Sequence, residues 1–376
     1  MDFTRLEKYL NALNAVYDFR AFDLNVRQNG KEIYRYLYGC TDANETRPAS
    51  RDDLQWLYSM SKVITCVGAL RLVERGLLGL DDPVHKYLPE YRDVTVKRGD
   101  NIEKAKNTML VRHLFAMRSG LDYNLMTPAL KKARENKNAS TREIVKAIAE
   151  DPLLFEPGES YQYSLSHDVL AAIVEVISGK SFYEYLKDEI FDPLGMKDVG
   201  FHPTEEQKAR FCAQYTFDPY TYKTKLNDGT CVYRLSEKYE SGGAGIFASN
   251  DAYMLFAQTM ANYGTAYNGY ELLKRQTVDL MRQDQQPKCD QRFLRPGYSY
   301  ALGVRVLVDK CEPKGESLSP LGEFGWAGAA SSYTVMDTDN NLAIVFTANV
   351  LNCTKAGDEM HPHIRNLVYD AMGIKA

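Results

Sequence analysis

The stretch LYSMSKVITCVGALRLVERG, Leu57 to Gly76, reads as a buried helix with one anomaly. Between Met60 and Leu70 nearly every residue is apolar or small, yet Lys62 sits among them. Burying an ammonium is costly unless it is paired or gives up its proton. Ser59 and Lys62 are three positions apart, so on a helix they share a face. Free N–H groups and the dipole at a helix start favour a developing negative charge beside Ser59. A lysine desolvated there has its proton affinity lowered, and the neutral amine can serve as a base toward a serine. The pattern S-x-x-K alone is weak, because about one match is expected by chance in a chain of this composition. Its setting strengthens it. The helix is apolar, it follows a hairpin, and no acid in the segment stands ready to pair with Lys62.

Working outward, RAFDLNVRQ and KEIYRYLYG read as strands that meet at Asn29-Gly30, a hairpin signal. The preceding MDFTRLEKYLNALNAVYDF reads as an amphipathic helix without the apolar core of a secretory signal. After the helix, Gly76 is a plausible C-cap, and LDDPVHKYLPEY is a proline-marked loop. From about Asp93 to Phe201 the pattern is mostly helical. MLVRHLFAMRSG and SHDVLAAIVEVISG have helical spacing, and Ser140 with Glu143 and Ser181 with Glu184 form capping boxes. The Tyr- and Thr-rich stretch 203–240 supports no assignment. GGAGIFAS leads into a helix at NDAYMLFAQTMANYG. Strands follow at LGVRVLVD, SSYTVMDTD and NLAIVFTANV, and HIRNLVYDAMGI closes the chain as a helix. Strands at both ends predict a discontinuous α/β domain, 1–84 with 241–376, interrupted by a mainly helical domain over 85–240.

Composition narrows the function. The chain has 376 residues, 44% of them hydrophobic, which is enough for a large core. A net charge of −4 and no basic run argue against nucleic acid as a partner. No apolar run approaches the ~20 residues that span a bilayer, so no membrane association is expected. Seven cysteines (40, 66, 212, 231, 289, 311 and 353) lack any C-x-x-C pair, so neither zinc nor a disulfide framework is expected. A reduced, cytoplasmic enzyme fits. There is no P-loop or G-x-G-x-x-G, and no cofactor is expected. His361 and His363 flank a proline without a carboxylate–histidine framework, and a solvated turn is expected there rather than a metal site. No G-x-S-x-G elbow is present to accompany the six histidines. His167, one turn after Tyr163, is expected to pack or to start a helix.

Two further segments carry chemistry. In FEPGESYQYSLSHDVLAAIVEVISG a Pro-Gly turn precedes Tyr163-Ser164-Leu165 at a loop-to-helix corner, where a phenol can point into a cleft or simply pack. In GEFGWAGAASSYTVMD the run Gly-Trp-Ala-Gly enters a strand, and its glycines permit close approach of a ligand or merely a tight strand entry.

Together SMSK, YSL and WAG resemble, in order, the S-x-x-K, Y-x-N and K-T-G motifs of the serine β-lactamase and penicillin-binding-protein superfamily. The variants are most similar to the class C β-lactamase-like esterases, the family VIII carboxylesterases. The segments NGKEIYRYLYGCTDANETRPASRDDLQWLYSMSK, VRHLFAMRSGLDY and GGAGIFASNDAYMLFAQTM extend the resemblance over about 20–200 and 240–350. It implies an antiparallel sheet flanked by helices, a helical insertion, and an active site between them. It implies Ser59 as the acylated nucleophile, with Lys62 and Tyr163 sharing proton transfer and either one as the base. It also implies an oxyanion hole at the backbone N–H groups of Ser59 and Ala329. Trp326, Gly328, Leu165 and Tyr123 would complete the substrate-binding set.

The departures carry meaning. Leu165 stands where the family has an Asn, and Trp326 where it has a carboxylate-recognising lysine. Both point away from β-lactams and D-Ala-D-Ala peptides. The expected function is a carboxylesterase-type serine hydrolase acting on small, mostly uncharged esters. The alternatives are a D-amino peptidase or amidase, a β-lactamase-like hydrolase, an acyltransferase, or a catalytically silent binding protein. A small-molecule ester or amide is the expected partner; the oligomeric state is not readable.

Overall fold

Asn29 and Gly30 both take positive φ (52° and 75°), as a two-residue hairpin turn requires. Across this turn β1 (Ala21–Gln28) pairs antiparallel with β2 (Lys31–Gly39). The computed structural model describes residues 1–286, 296–310 and 317–374. Six C-terminal strands complete the sheet: β3 (Tyr298–Tyr300), β4 (Arg305–Leu307), β5 (Phe324–Gly325), β6 (Ala327–Gly328), β7 (Ser332–Asp337) and β8 (Leu342–Ala348). Their order is β2-β1-β8-β7-β5-β4-β3, with β6 also on β7, and every pair is antiparallel. Phe22 lies opposite Ala348, so strands from the two ends of the chain are neighbours inside the sheet, one strand in from the β2 edge.

Both faces of the sheet are covered, and β8 shows how. Leu342, Ile344 and Phe346 pack with α1 (Thr4–Tyr17) and the C-terminal helix His361–Ala371, while Ala343 and Val345 face the opposite core. A strand buried on both faces has no polar alternation, and β8 is buried throughout. On the second face α4 (Asn250–Ala261) packs against the strands, and α2 (Ser61–Glu74) and α3 (Ser166–Ser178) pack on each other within the same core. Residues 61–70 of α2 are all buried, so this helix has no solvent face. We label the C-terminal helix α5 (His361–Ala371). The capping boxes at Ser140 and Ser181 form as read.

Several expectations are corrected. The helical reading from Asp93 is broken by a hairpin, Thr95–Arg98 with Asn101–Lys104, because Gly99 turns the chain at φ 60°. MLVRHLFAMRSG is helical only over Val111–Phe115, since Met117 adopts φ 56°. Within 203–240, Tyr215–Asp218 and Lys223–Leu226 form a hairpin joined in parallel by Val350–Leu351. His361 does not sit on a solvated turn. It opens α5 with 3% exposure, its Nε2 lies 3.0 Å from the Ser331 carbonyl, and its ring stacks on Tyr333. Pro362, the second residue of α5, allows this, because the first turn of a helix tolerates a missing N–H. His363 is exposed, against the edge of Tyr9. Cys40, Cys66, Cys212, Cys231 and Cys353 are free thiols; Cys289 and Cys311 lie outside the described residues. Among the described residues no helix is long and apolar enough to cross a membrane, and no three His, Cys, Asp or Glu side chains are grouped to hold a metal.

Candidate active site

Ser59 lies in a single 3-10 turn, Tyr58–Met60, that runs directly into α2. Tyr58 holds the left-handed conformation (φ 48°), an uncommon state for a bulky residue. It is kept there by burial and by Gln214, whose Nε2 donates to the Tyr58 hydroxyl at 2.6 Å.

Lys62 has 0% exposure. Its Nζ donates to the Gly243 carbonyl (2.7 Å), the Tyr123 hydroxyl (3.2 Å) and Ser59 Oγ (3.3 Å). Three acceptors match the three donors of an ammonium. The same nitrogen lies 4.6 Å from the ring centroid of Tyr163 and 5.1 Å from that of Tyr123, which adds cation–π attraction. Lys62 therefore survives burial with no carboxylate ion pair among the described residues.

The seat beneath Lys62 was not foreseen. A Cβ on Gly243 would stand 2.6 Å from Asp168 Oδ2 and 3.4 Å from Lys62 Nζ, so only glycine brings this carbonyl to the amine. Asp168 is itself fully buried. Its Oδ1 accepts from Tyr239 (2.5 Å), Ser241 (2.6 Å) and the Gly243 N–H (3.3 Å). One carboxylate thus pins the loop that presents Gly243. The signal for it was an acid inside the apolar helix SHDVLAAIVEVISG, an anomaly of the same kind as Lys62. His167, beside it, packs as expected. Its Nε2 lies 3.1 Å from the Phe115 carbonyl and 3.4 Å from Cys66 Sγ. Burial, followed by the charge of Lys62, pushes its pKa down to about 3 against the pull of the Phe115 carbonyl, so the ring is neutral at physiological pH.

Tyr163 leans over the same site. Its hydroxyl accepts from Trp326 Nε1 at 3.2 Å, and its ring is parallel to that of Tyr123 at 5.4 Å. Burial pushes the Tyr123 phenol well above its usual value and keeps it neutral. Gly328 fixes the distance between the Ser59 turn and β6: a Cβ there would meet the Leu57 carbonyl at 2.4 Å. Ser59, Tyr123, Tyr163, Trp326 and Ala329 all line one cavity of about 500 Å³. Gly328 acts as a spacer and does not line it. Leu165 must be corrected: its side chain has 3% exposure and belongs to the hydrophobic core, so it does not face the cavity. Tyr233, from the stretch that could not be read, lines the cavity as well.

A lysine beneath a serine, a tyrosine ring over that lysine, and a strand packed on the serine's turn accord with a sequence-family match over residues 6–369 to the family described as Beta-lactamase. The chain belongs to the beta-lactamase family. This beta-lactamase family chain is 29% identical to Esterase EstB of Burkholderia gladioli over 349 residues, covering 86% of this chain and 84% of the relative. It is 29% identical to Lovastatin esterase of Penicillium rubens over 326 residues, 80% of each. Among solved structures, EstCE1, a hydrolase with promiscuous acyltransferase activity, superposes with a TM-score of 0.81 at 22% identity, covering 98% of this chain and 97% of that one. The fold is thus that of the β-lactamases and penicillin-binding proteins, and the beta-lactamase family chain is a serine hydrolase on that fold.

Proposed function

We propose that the chain hydrolyses small, mostly uncharged carboxylic esters through an acyl-enzyme on Ser59. The observation that carries this reading is Lys62 Nζ, held 3.3 Å from Ser59 Oγ by the Gly243 carbonyl beneath the Tyr163 ring. Ser59 Oγ attacks the ester carbonyl carbon, and the Lys62–Tyr163 pair, entering the step one proton short of full protonation, takes up the hydroxyl proton. The tetrahedral oxyanion is met by the backbone N–H groups of Ser59 and Ala329, usually the largest catalytic contribution at such sites. Collapse breaks the ester C–O bond, and the departing alkoxide takes the proton. Water then repeats the sequence on the acyl-enzyme and frees Ser59. The names of the two esterase relatives support ester chemistry. Transfer of the acyl group to an alcohol instead of water is the second reading, favoured by the activity that EstCE1 carries. A fluorophosphonate is expected to modify Ser59 stoichiometrically, seen as a mass shift on the peptide containing it. Labelling that persists in Ser59→Ala, or falls on another serine, overturns the assignment.

Substrate charge is the finer part of the reading. With Leu165 in the core, the argument rests on Trp326, which offers an indole where penicillin-recognising relatives offer a cation. Losing one charge-assisted hydrogen bond costs about 1.5–3 kcal/mol, or one to two orders of magnitude in kcat/KM. p-Nitrophenyl butyrate is therefore expected to turn over about 10–100-fold more efficiently than nitrocefin. Trp326→Lys should narrow the gap. Faster turnover of nitrocefin or a D-Ala-D-Ala peptide than of every ester tried would favour the peptidase-like alternative.

A further inference from the structure

The cavity at Ser59 has an unusual wall. Among its described lining residues there is no Leu, Ile, Val, Met or Phe; six tyrosines and Trp326 line it, with Arg305 and Arg365 also on the wall. A site built for aliphatic acyl chains has no need of such a wall, since branched aliphatic side chains bury the same area without ring geometry. The rings are also arranged. Tyr163 is parallel to Tyr123, and Trp326 continues that face at 5.7 Å and 32°. Tyr233 stands edge-on to Tyr123 (5.6 Å, 88°) and to Tyr58 (6.0 Å, 79°). The lining rings are therefore held at fixed angles to one another, parallel for Tyr123 and Tyr163 and perpendicular for Tyr233. Offset-stacked and edge-to-face contacts are the two arrangements that aromatic pairs prefer.

We infer that the substrate carries an aryl group seated against this wall, and that Tyr233 is a specificity-determining residue for it. The inference rests on the ester-hydrolase reading above. A cavity of about 500 Å³ holds a phenyl ring together with its ester. A cyclohexyl ring of the same skeleton buries similar area but lacks the quadrupole that matches the wall. The difference between the two isolates ring geometry from simple burial.

The test compares matched pairs. On the acyl side these are methyl 3-phenylpropanoate and methyl 3-cyclohexylpropanoate; on the alcohol side, benzyl acetate and cyclohexylmethyl acetate. All are followed by acid release at constant pH. In at least one pair the aryl ester is expected to exceed its saturated partner by about 5–10-fold in kcat/KM, and the pair that does so shows which side of the ester carries the ring. Tyr233→Leu should bring that ratio close to one, whereas Tyr233→Phe should retain it. A ratio at or below one in both pairs overturns the inference, and so does a ratio that Tyr233→Leu leaves unchanged. Failure of the hydrolase reading looks different: no ester is turned over and Ser59 resists fluorophosphonate. In that event, binding of 3-phenylpropanamide and 3-cyclohexylpropanamide, read by protein fluorescence, makes the same comparison without turnover. Tighter binding of the aryl amide supports the inference, and equal binding overturns it.

Discussion

Replacing Lys62 by alanine is expected to lower kcat for p-nitrophenyl butyrate by about 10²–10⁴-fold, the range spanned by positioned acid–base groups. The change removes the donor shared by Ser59 Oγ, the Tyr123 hydroxyl and the Gly243 carbonyl. Lys62→Met keeps most of the volume and removes the charge, so it separates chemistry from packing. Tyr163→Phe should fall in the same range of about 10²–10⁴-fold. It deletes one hydroxyl, the acceptor for Trp326 Nε1, and leaves the ring beside Lys62. The double variant should lose far less than the product of the two single losses, because members of one proton-transfer unit fail together. Circular dichroism on each variant is expected to show that the fold persists. Small, additive losses would reduce at least one of the two residues to a packing role.

Asp168→Ala is expected to lower stability and turnover together. The substitution leaves the Tyr239 hydroxyl, the Ser241 hydroxyl and the Gly243 N–H without their buried acceptor. Each buried polar group so orphaned costs about 1–3 kcal/mol. Against a total stability of about 5–15 kcal/mol, that sum brings the domain near its unfolding threshold. The loop bearing Gly243 is then free to withdraw its carbonyl from Lys62. A urea midpoint that falls markedly, together with a kcat that falls in the fraction remaining folded, is the expected pair of results. A variant with normal turnover and an unchanged midpoint would show that the 239–243 loop holds Lys62 without Asp168.

What was legible in the sequence was local. Lys62 betrays itself as a charge in an apolar helix, Asn29-Gly30 as a turn, and Ser140 and Ser181 as caps, because the cause lies within a few residues of the effect. The pairing of Phe22 with Ala348 has no such trace, since it joins strands more than three hundred positions apart. The hairpin at Thr95–Lys104 was masked by neighbours with helical spacing, and Gly99 was its one visible sign. At the site, side chains within the motifs were readable, whereas Gly243 acts through its backbone and Tyr233 lies in a stretch without periodicity. Leu165 shows the converse error. A motif position suggests a place in the cleft, but an isobutyl group gains more from the core and is drawn into it. His361 errs likewise: beside a proline it reads as a turn, yet that proline sits in the first turn of a helix that His361 opens.

The left-handed Tyr58 has a consequence for how this protein can change. A non-glycine residue in that conformation stores of order 1–3 kcal/mol and persists only while its surroundings enforce it. The enforcing contacts, Gln214 on its hydroxyl and Tyr233 against its ring, both come from the 203–240 excursion. That excursion also supplies Tyr233 to the lining of the cavity at Ser59. Selection and alignment are thus borne by one piece of chain, and substitutions that retune what the cavity accepts will also tilt Ser59. Laboratory evolution of new selectivity in this segment should therefore proceed through epistatic pairs, a change in the excursion followed by a compensating one near Tyr58, and seldom through single steps that leave the rate intact.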